Sequence, residues 1–166
     1  MNLKAFLDTV AWSLGTALPN GYGLIFSGEE FNQFNTHPRR EVCAVFLGKQ
    51  ICEDAAGRYL IVSSTWDSIA QRLRLQDFSP RSQDKAAIEL IQEKGALEDV
   101  EEGRFDLAVK KCSSVWGSLP DSEGRSQWGF QIQPIESLRS VYMFYRSKYI
   151  YQDKKGNYLM FFKEKT

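Results

Sequence analysis

Few side chains in this 166-residue chain could carry nucleophilic or metal chemistry, since it has one histidine, His37, and three cysteines. A serine or cysteine triad would have to use His37, and its surroundings, Asn-Thr-His-Pro-Arg-Arg, show no nucleophile elbow. The cysteines and His37 also lack the close paired spacing of a structural zinc site. The sequence therefore predicts neither a nucleophile–histidine pair nor a metal site.

Two of the cysteines bracket a short apolar segment. Cys43 and Cys52 flank Ala-Val-Phe-Leu-Gly-Lys-Gln-Ile, which is typical of a β-hairpin. This spacing is compatible with a short-range disulfide and equally with two buried thiols.

The charge is balanced overall but not along the chain. There are 21 basic and 21 acidic residues, of which 7 basic and 2 acidic lie from Arg139 onward. Residues 1–138 then carry 14 basic and 19 acidic residues, a net −5 against +5 for the tail. A nucleic-acid-binding field over the whole domain is not indicated.

Composition indicates one globular domain. Hydrophobic residues make up 43% and charged residues 25% of the chain. No apolar run approaches the roughly 20 residues that span a bilayer. The start, Met1 to Asp8, does not read as a secretory signal, so we expect synthesis in the cytoplasm, with any release to the cell wall left to another system.

Periodicity and capping signals place the elements that must position any site. Apolar spacing predicts a helix over 2–14, ended by Gly15. Ser79 and Pro80 predict the start of a helix over 80–94. Further helices are predicted through 59–75, 96–103, 104–113 and 134–147, and strands over 23–26 and 42–46. Strands segregated from helices predict an α+β fold with a small antiparallel sheet.

The C-terminal region is aromatic and basic. Residues 149–152 and 158–162 flank Asp153-Lys-Lys-Gly-Asn157, which predicts a hairpin. One interpretation is a hairpin packed on the domain, with lysines protecting its edge. The other is that residues 142–163 form a docking surface for a partner protein, an anionic polymer or single-stranded nucleic acid.

A set of short motifs occurs in order over about residues 4–130. They are Lys4-Ala-Phe-Leu-Asp8 with Ala11-Trp-Ser13 and Gly15-Thr16, Ser27-Gly-Glu-Glu-Phe31, His37-Pro-Arg39, Ala55-Ala-Gly-Arg-Tyr59, Ser64-Thr-Trp-Asp67, Asp77-Phe-Ser-Pro80 with Ser82-Gln-Asp84, Gly95-Ala-Leu97 and Trp116-Gly-Ser-Leu-Pro120. This set resembles the lambda-type phage endolysins and their bacterial relatives, lysozyme-fold muramidases that act as lytic transglycosylases.

The resemblance implies a lysozyme-like domain over 1–135, with a glycan cleft between a small sheet lobe and a larger helical lobe. Residues 136–166 are expected to add a helix and the hairpin, packed on the same domain. The resemblance also implies cleavage between N-acetylmuramic acid and N-acetylglucosamine, a 1,6-anhydro product and no metal or organic cofactor. Peptidoglycan or a related glycan is the implied partner.

This chain departs from the family where the chemistry occurs. The family's acid is a glutamate between Ser and Gly-Thr at the end of the first helix, and Leu14 stands there. Leucine has no proton for the leaving oxygen. Leu60 replaces a glutamine, and Gly23 follows Tyr22 where the lambda-type pattern has Asp. These changes predict a catalytically inactive protein that binds glycan or a protein partner.

The alternative is an active glycosidase that uses another carboxylate. Glu53 and Asp54 are its candidates because they flank a segment expected to line the cleft. The glycan-binding candidates are Thr16, Tyr22, Arg58, Tyr59, Leu60 and Trp128. Arg58 could instead order the sheet–helix junction, and Tyr59 and Trp128 suit either packing or stacking on a sugar.

Overall fold

The computed structural model describes the backbone of residues 1–46, 48–126, 129 and 132–163, without the side chains of 44, 46, 49 and 156–163. Within these residues, two strands and six helices follow one another. They are α1 (Asn2–Ser13), β1 (Val42–Phe46), β2 (Lys49–Glu53), α2 (Ser63–Leu73), α3 (Pro80–Glu93), α4 (Leu97–Glu102), α5 (Phe105–Cys112) and α6 (Ile135–Lys163), with a 3-10 turn at Gly21–Gly23. The predicted α+β class with a small antiparallel sheet is confirmed.

The sheet is a two-stranded hairpin. Its antiparallel register sets Val42 opposite Glu53 and Cys43 opposite Cys52. The segment predicted as a strand over 23–26 forms isolated bridges instead, with Leu24 pairing with Glu30 and Ile25 with Ala56.

The core forms around α1. Phe6 and Val10 are buried on its inner face, and Phe6 meets Phe105 of α5 edge-on at 6.0 Å between ring centroids. Ser79 caps α3 through its side chain, with Pro80 at the first helical position as predicted.

The second predicted helix begins later than expected. Helix α2 starts at Ser63 rather than near residue 59, because Gly57 (φ +80°) and Leu60 (φ +43°) have left-handed backbones. This conformation cannot continue a right-handed helix, so residues 57–60 form a turn.

The predicted C-terminal hairpin is wrong. Helix α6 continues through Asp153-Lys-Lys-Gly-Asn157 to Lys163. Leu138, Tyr142, Tyr145 and Tyr149 recur at helical spacing and pack against the core, which anchors α6 up to Tyr149. Beyond Tyr149 the helix continues through exposed residues 151–155, because a helix that is already formed extends more readily than a new one nucleates. Within the described residues, no helix is long and apolar enough to cross a membrane.

Candidate functional site

A cavity of about 680 Å³ opens between the hairpin and the helices. The end of α1, the inner edge of β2, the 55–62 loop, the end of α3 and the 114–117 turn form its walls. Most lining side chains are apolar, and they include Leu14, Phe26, Ile51, Leu60, Ile61, Val62, Leu90, Val115 and Trp116. Pockets of this size and composition are typical ligand sites.

Leu14 caps the C-terminus of α1 at the cavity wall. Its N–H donates to the Val10 carbonyl at 3.1 Å, and its half-buried side chain packs against the core. Beside it, the hydroxyls of Ser13 and Ser118 share a hydrogen bond of 2.8 Å. The end of α1 is therefore tied to the segment after Trp116, and Leu14 is held facing the cavity.

The turn over residues 57–60 is built on a buried glutamine. Gln83 accepts a hydrogen bond from the Arg58 N–H at 2.9 Å and donates to the carbonyls of Tyr22 (3.0 Å) and Phe78 (2.9 Å). A Cβ at Gly57 would overlap the Gln83 amide, so the close approach requires glycine. This arrangement presents Leu60 to the cavity.

Arg58 and Thr16 lie behind the cavity wall rather than in it. The Arg58 guanidinium pairs with the Asp8 carboxylate at 2.7 Å and donates to the Thr16 carbonyl at 3.3 Å. The Thr16 hydroxyl is buried between the carbonyls of Ala11 and Arg58. The ordering role predicted for Arg58 matches this geometry, and neither side chain lines the cavity.

Tyr22 and Tyr59 share one acceptor. Their hydroxyls donate to the same Asp84 oxygen at 2.8 and 2.7 Å. Burial and the Asp84 carboxylate raise the pKa of Tyr22 to about 12, and burial also raises the pKa of Tyr59 well above its usual value. Tyr59 lines the cavity, but its hydroxyl is directed toward Asp84. Tyr22 does not line the cavity.

A second bond fixes Tyr59. Its carbonyl accepts a hydrogen bond from the Trp116 indole N–H at 3.0 Å. Trp128, the other predicted sugar-stacking residue, lies outside the described residues.

Glu53 and Asp54 have different environments. Glu53 lines the cavity and has no hydrogen-bond or ion-pair partner among the described side chains. Asp54 is not in the lining, and its carboxylate accepts the Ser63 N–H at 3.0 Å. Burial favours the neutral acid, but the hydrogen bonds from Ser63 prevail and lower the Asp54 pKa. The other lining carboxylate, Glu93, pairs with Arg72.

Cys43 and Cys52 form a disulfide across the hairpin, and both are exposed. The alternative of two buried thiols is therefore wrong. Ile51 and Glu53 line the cavity, and strand alternation turns Cys52 to the opposite face. Among the residues that the structure describes, no group of three histidine, cysteine or carboxylate side chains could hold a metal.

Sequence reasoning missed the support of this site by Gln83 and Asp84. Both belong to the Ser82-Gln-Asp84 motif, so their presence was visible but their role was not. A polar side chain near the start of a helix is expected to be exposed to solvent until the packing around it is known.

The chain is similar to known proteins over most of its length. The chain matches the endolysin family over residues 4–148. It is 42% identical over 123 residues to the endolysin of Escherichia phage lambda, covering 70% of this chain and 76% of that protein. It is 39% identical over 153 residues to the endolysin of Escherichia phage P2, covering 85% and 90%.

A solved structure shows the same likeness. Bacteriophage lambda lysozyme complexed with a chitohexasaccharide aligns with a TM-score of 0.74 at 38% identity, covering 86% of this chain and 92% of that one.

Proposed function

The chain belongs to the endolysin family, and from that premise we propose that it holds a peptidoglycan chain in its cleft without cleaving it. The observation that carries the proposal is Leu14, which lines the cavity at the end of α1. There the resemblance implies the glutamate that protonates the leaving oxygen. Loss of a general acid removes a factor of roughly 10² to 10⁴ in rate.

The cleft keeps features that suit glycan binding. Its volume is about 680 Å³, and its walls are held by the Gln83 and Trp116 hydrogen bonds. The apolar wall of Leu14 and Leu60 can pack against the N-acetyl methyl groups and the apolar ring faces of a sugar chain. The lambda lysozyme complexed with a chitohexasaccharide supports a glycan as the ligand.

The test measures binding and cleavage on the same purified peptidoglycan. We expect the protein to sediment with the sacculi while no anhydro-muropeptide is released. Leu14→Glu with Leu60→Gln should restore measurable release, and Leu14→Glu alone should restore less because Leu60 removes a polar contact. Leu18→Glu, at an exposed site outside the cavity lining, is the matched control and should restore none. Failure of the protein to sediment with sacculi would contradict the proposal.

One observation favours a second candidate, an active peptidoglycan-cleaving enzyme. Glu53 is a lining carboxylate without a described partner, whereas Asp54 is engaged by Ser63. This alternative predicts turnover by the unmodified protein that is lost in Glu53→Gln and retained in Asp54→Asn. Turnover that survives Glu53→Gln would exclude Glu53 as the acid.

A further inference from the structure

The solvent side of α6 carries aromatic residues alternating with lysines. Phe144, Lys148, Tyr151 and Lys155 follow one another at i, i+4, i+7 and i+11, which places them in one stripe along the helix. Phe144 is 67% and Tyr151 68% exposed, and both lysines are exposed. Large exposed aromatic side chains that share one helix face indicate an interaction surface. We call these four residues the aromatic–lysine stripe.

The opposite side of α6 is already occupied. The Tyr149 hydroxyl donates to Asp8, and the Lys4 ammonium lies 4.2 Å from the centre of the Tyr149 ring. Arg146 donates to the Asn2 side chain at 2.8 Å. Turning α6 to bury the stripe would break all of these contacts, so the stripe stays in solvent.

The stripe is positively charged without local compensation. Neither Lys148 nor Lys155 has an ion-pair partner among the described residues. Asp153 lies nine residues after Phe144, about half a turn away around the helix. Because residues 1–138 carry a net −5 and the remainder +5, an anionic surface would attract this end of the chain and repel the rest.

We propose that the aromatic–lysine stripe docks on an anionic lipid surface, with α6 lying in the plane of the interface. Aromatic rings can enter the headgroup region while lysines reach the lipid phosphates. A glycan is less suited because the stripe lacks the carboxylate and amide side chains that bind sugar hydroxyls.

The test uses the full-length protein and vesicles sedimented at low salt. One set is phosphatidylcholine alone, and the other is an equal mixture of phosphatidylcholine and phosphatidylglycerol. We expect binding to the anionic vesicles only, weakening as salt rises. Each lysine near such a surface contributes about fivefold to partitioning, so Lys148→Glu with Lys155→Glu should lower it at least about 25-fold. Phe144→Ser with Tyr151→Ser should also weaken binding.

Matched controls separate the stripe from overall charge. Lys85→Glu with Lys110→Glu makes the same charge change on α3 and α5 at exposed positions, and it should retain most binding. Thermal unfolding checks that each variant is folded. The proposal is overturned if the unmodified protein ignores anionic vesicles, binds neutral ones equally, or loses binding equally in the control. If neither the unmodified protein nor any variant binds vesicles, and the stripe variants lose binding to sacculi, the stripe is a glycan-binding surface. That outcome also overturns the proposal.

Discussion

At the scale of single residues, Asp8 joins three parts of the molecule. Its carboxylate on α1 pairs with Arg58 at 2.7 Å and accepts the Tyr149 hydroxyl of α6. The two ion-pair side chains are only 14% and 12% exposed. Asp8→Asn leaves the Arg58 charge buried without its partner, so we expect a loss of about 3–5 kcal/mol in the free energy of unfolding.

The control for this substitution is Asp67→Asn. Asp67 pairs with Arg39 at the surface, where both side chains are about half exposed, and removing such a pair costs about 1 kcal/mol or less. Urea unfolding of both variants gives the comparison. Equal losses of unfolding free energy in the two variants would show that Asp8 does not stabilise the buried Arg58 charge.

His37 is predicted to make stability depend on pH. It is buried, its Nε2 lies 2.9 Å from the Ile61 carbonyl, and its Nδ1 accepts the Arg39 N–H at 3.1 Å. Burial lowers its pKa below the ordinary 6.5. The unfolded chain then binds the proton more readily, so the free energy of unfolding should fall as the pH drops from 6.5 through the folded-state pKa.

Proton NMR can follow the titration of His37 without ambiguity because it is the single histidine of the sequence. We expect a midpoint below 6.5 in the folded protein and near 6.5 in the urea-unfolded chain. A folded midpoint at or above the unfolded one would contradict the assignment of His37 as a buried neutral group.

At the scale of elements, the hairpin depends on its disulfide. The bridge joins residues nine positions apart and closes a ten-residue loop, for which chain entropy gives about 2.7 kcal/mol. The two strands make their main contacts with each other. Reduction should therefore speed amide hydrogen exchange over Val42–Glu53 more than over α1.

Cysteine labelling provides the control. Under reductant, Cys43 and Cys52 should react with iodoacetamide in the folded protein. Burial raises the pKa of the Cys112 thiol to about 12, so Cys112 should react only on unfolding. In the Cys43→Ser, Cys52→Ser variant, amide hydrogen exchange of the hairpin should be fast with or without reductant. If reductant still speeds exchange in this variant, the effect does not come from the disulfide.

Helix α6 is docked on the core up to Tyr149, whereas residues 151–155 are exposed. Leu138 and Tyr142 are buried, with the Tyr142 ring stacked on Phe105 at 4.7 Å. A chain ending at Ile150 keeps these contacts and the Tyr149–Asp8 bond, so its free energy of unfolding should change by about 1 kcal/mol or less. A chain ending at Pro134 loses them, and burying the two side chains alone contributes about 3–6 kcal/mol.

At the scale of the whole molecule, the longer deletion removes a large share of the 5–15 kcal/mol typical of a folded domain. We expect the chain ending at Pro134 to be unfolded or to melt far below the full-length protein in calorimetry. The chain ending at Ile150 is its matched control. If both truncations melt together with the full-length protein, α6 is not part of the core.

The elements that were predictable carry their signals locally. Helices α1 and α3 begin and end within a residue or two of the prediction because apolar spacing, Gly15, Ser79 and Pro80 act over one or two turns. The predicted hairpin failed because contacts with α1 and α5, which are distant in sequence, anchor α6 up to Tyr149, and a helix anchored in this way extends by propagation. Asp153-Lys-Lys-Gly-Asn157 favours a turn, but extending an existing helix needs no new nucleation step.

The ordered motifs by themselves determined the family and the fold class, and they predict that Leu14 stands where the family has its acid. Tertiary structure alone decided which residues reach the cavity: Glu53 and Leu60 line it, while Arg58 and Thr16 are turned into the structure behind it. Residue type says what a side chain can do. Its direction depends on contacts between segments far apart in the chain, such as those of Arg58 with Asp8 and Gln83, and these contacts exist only in the folded molecule.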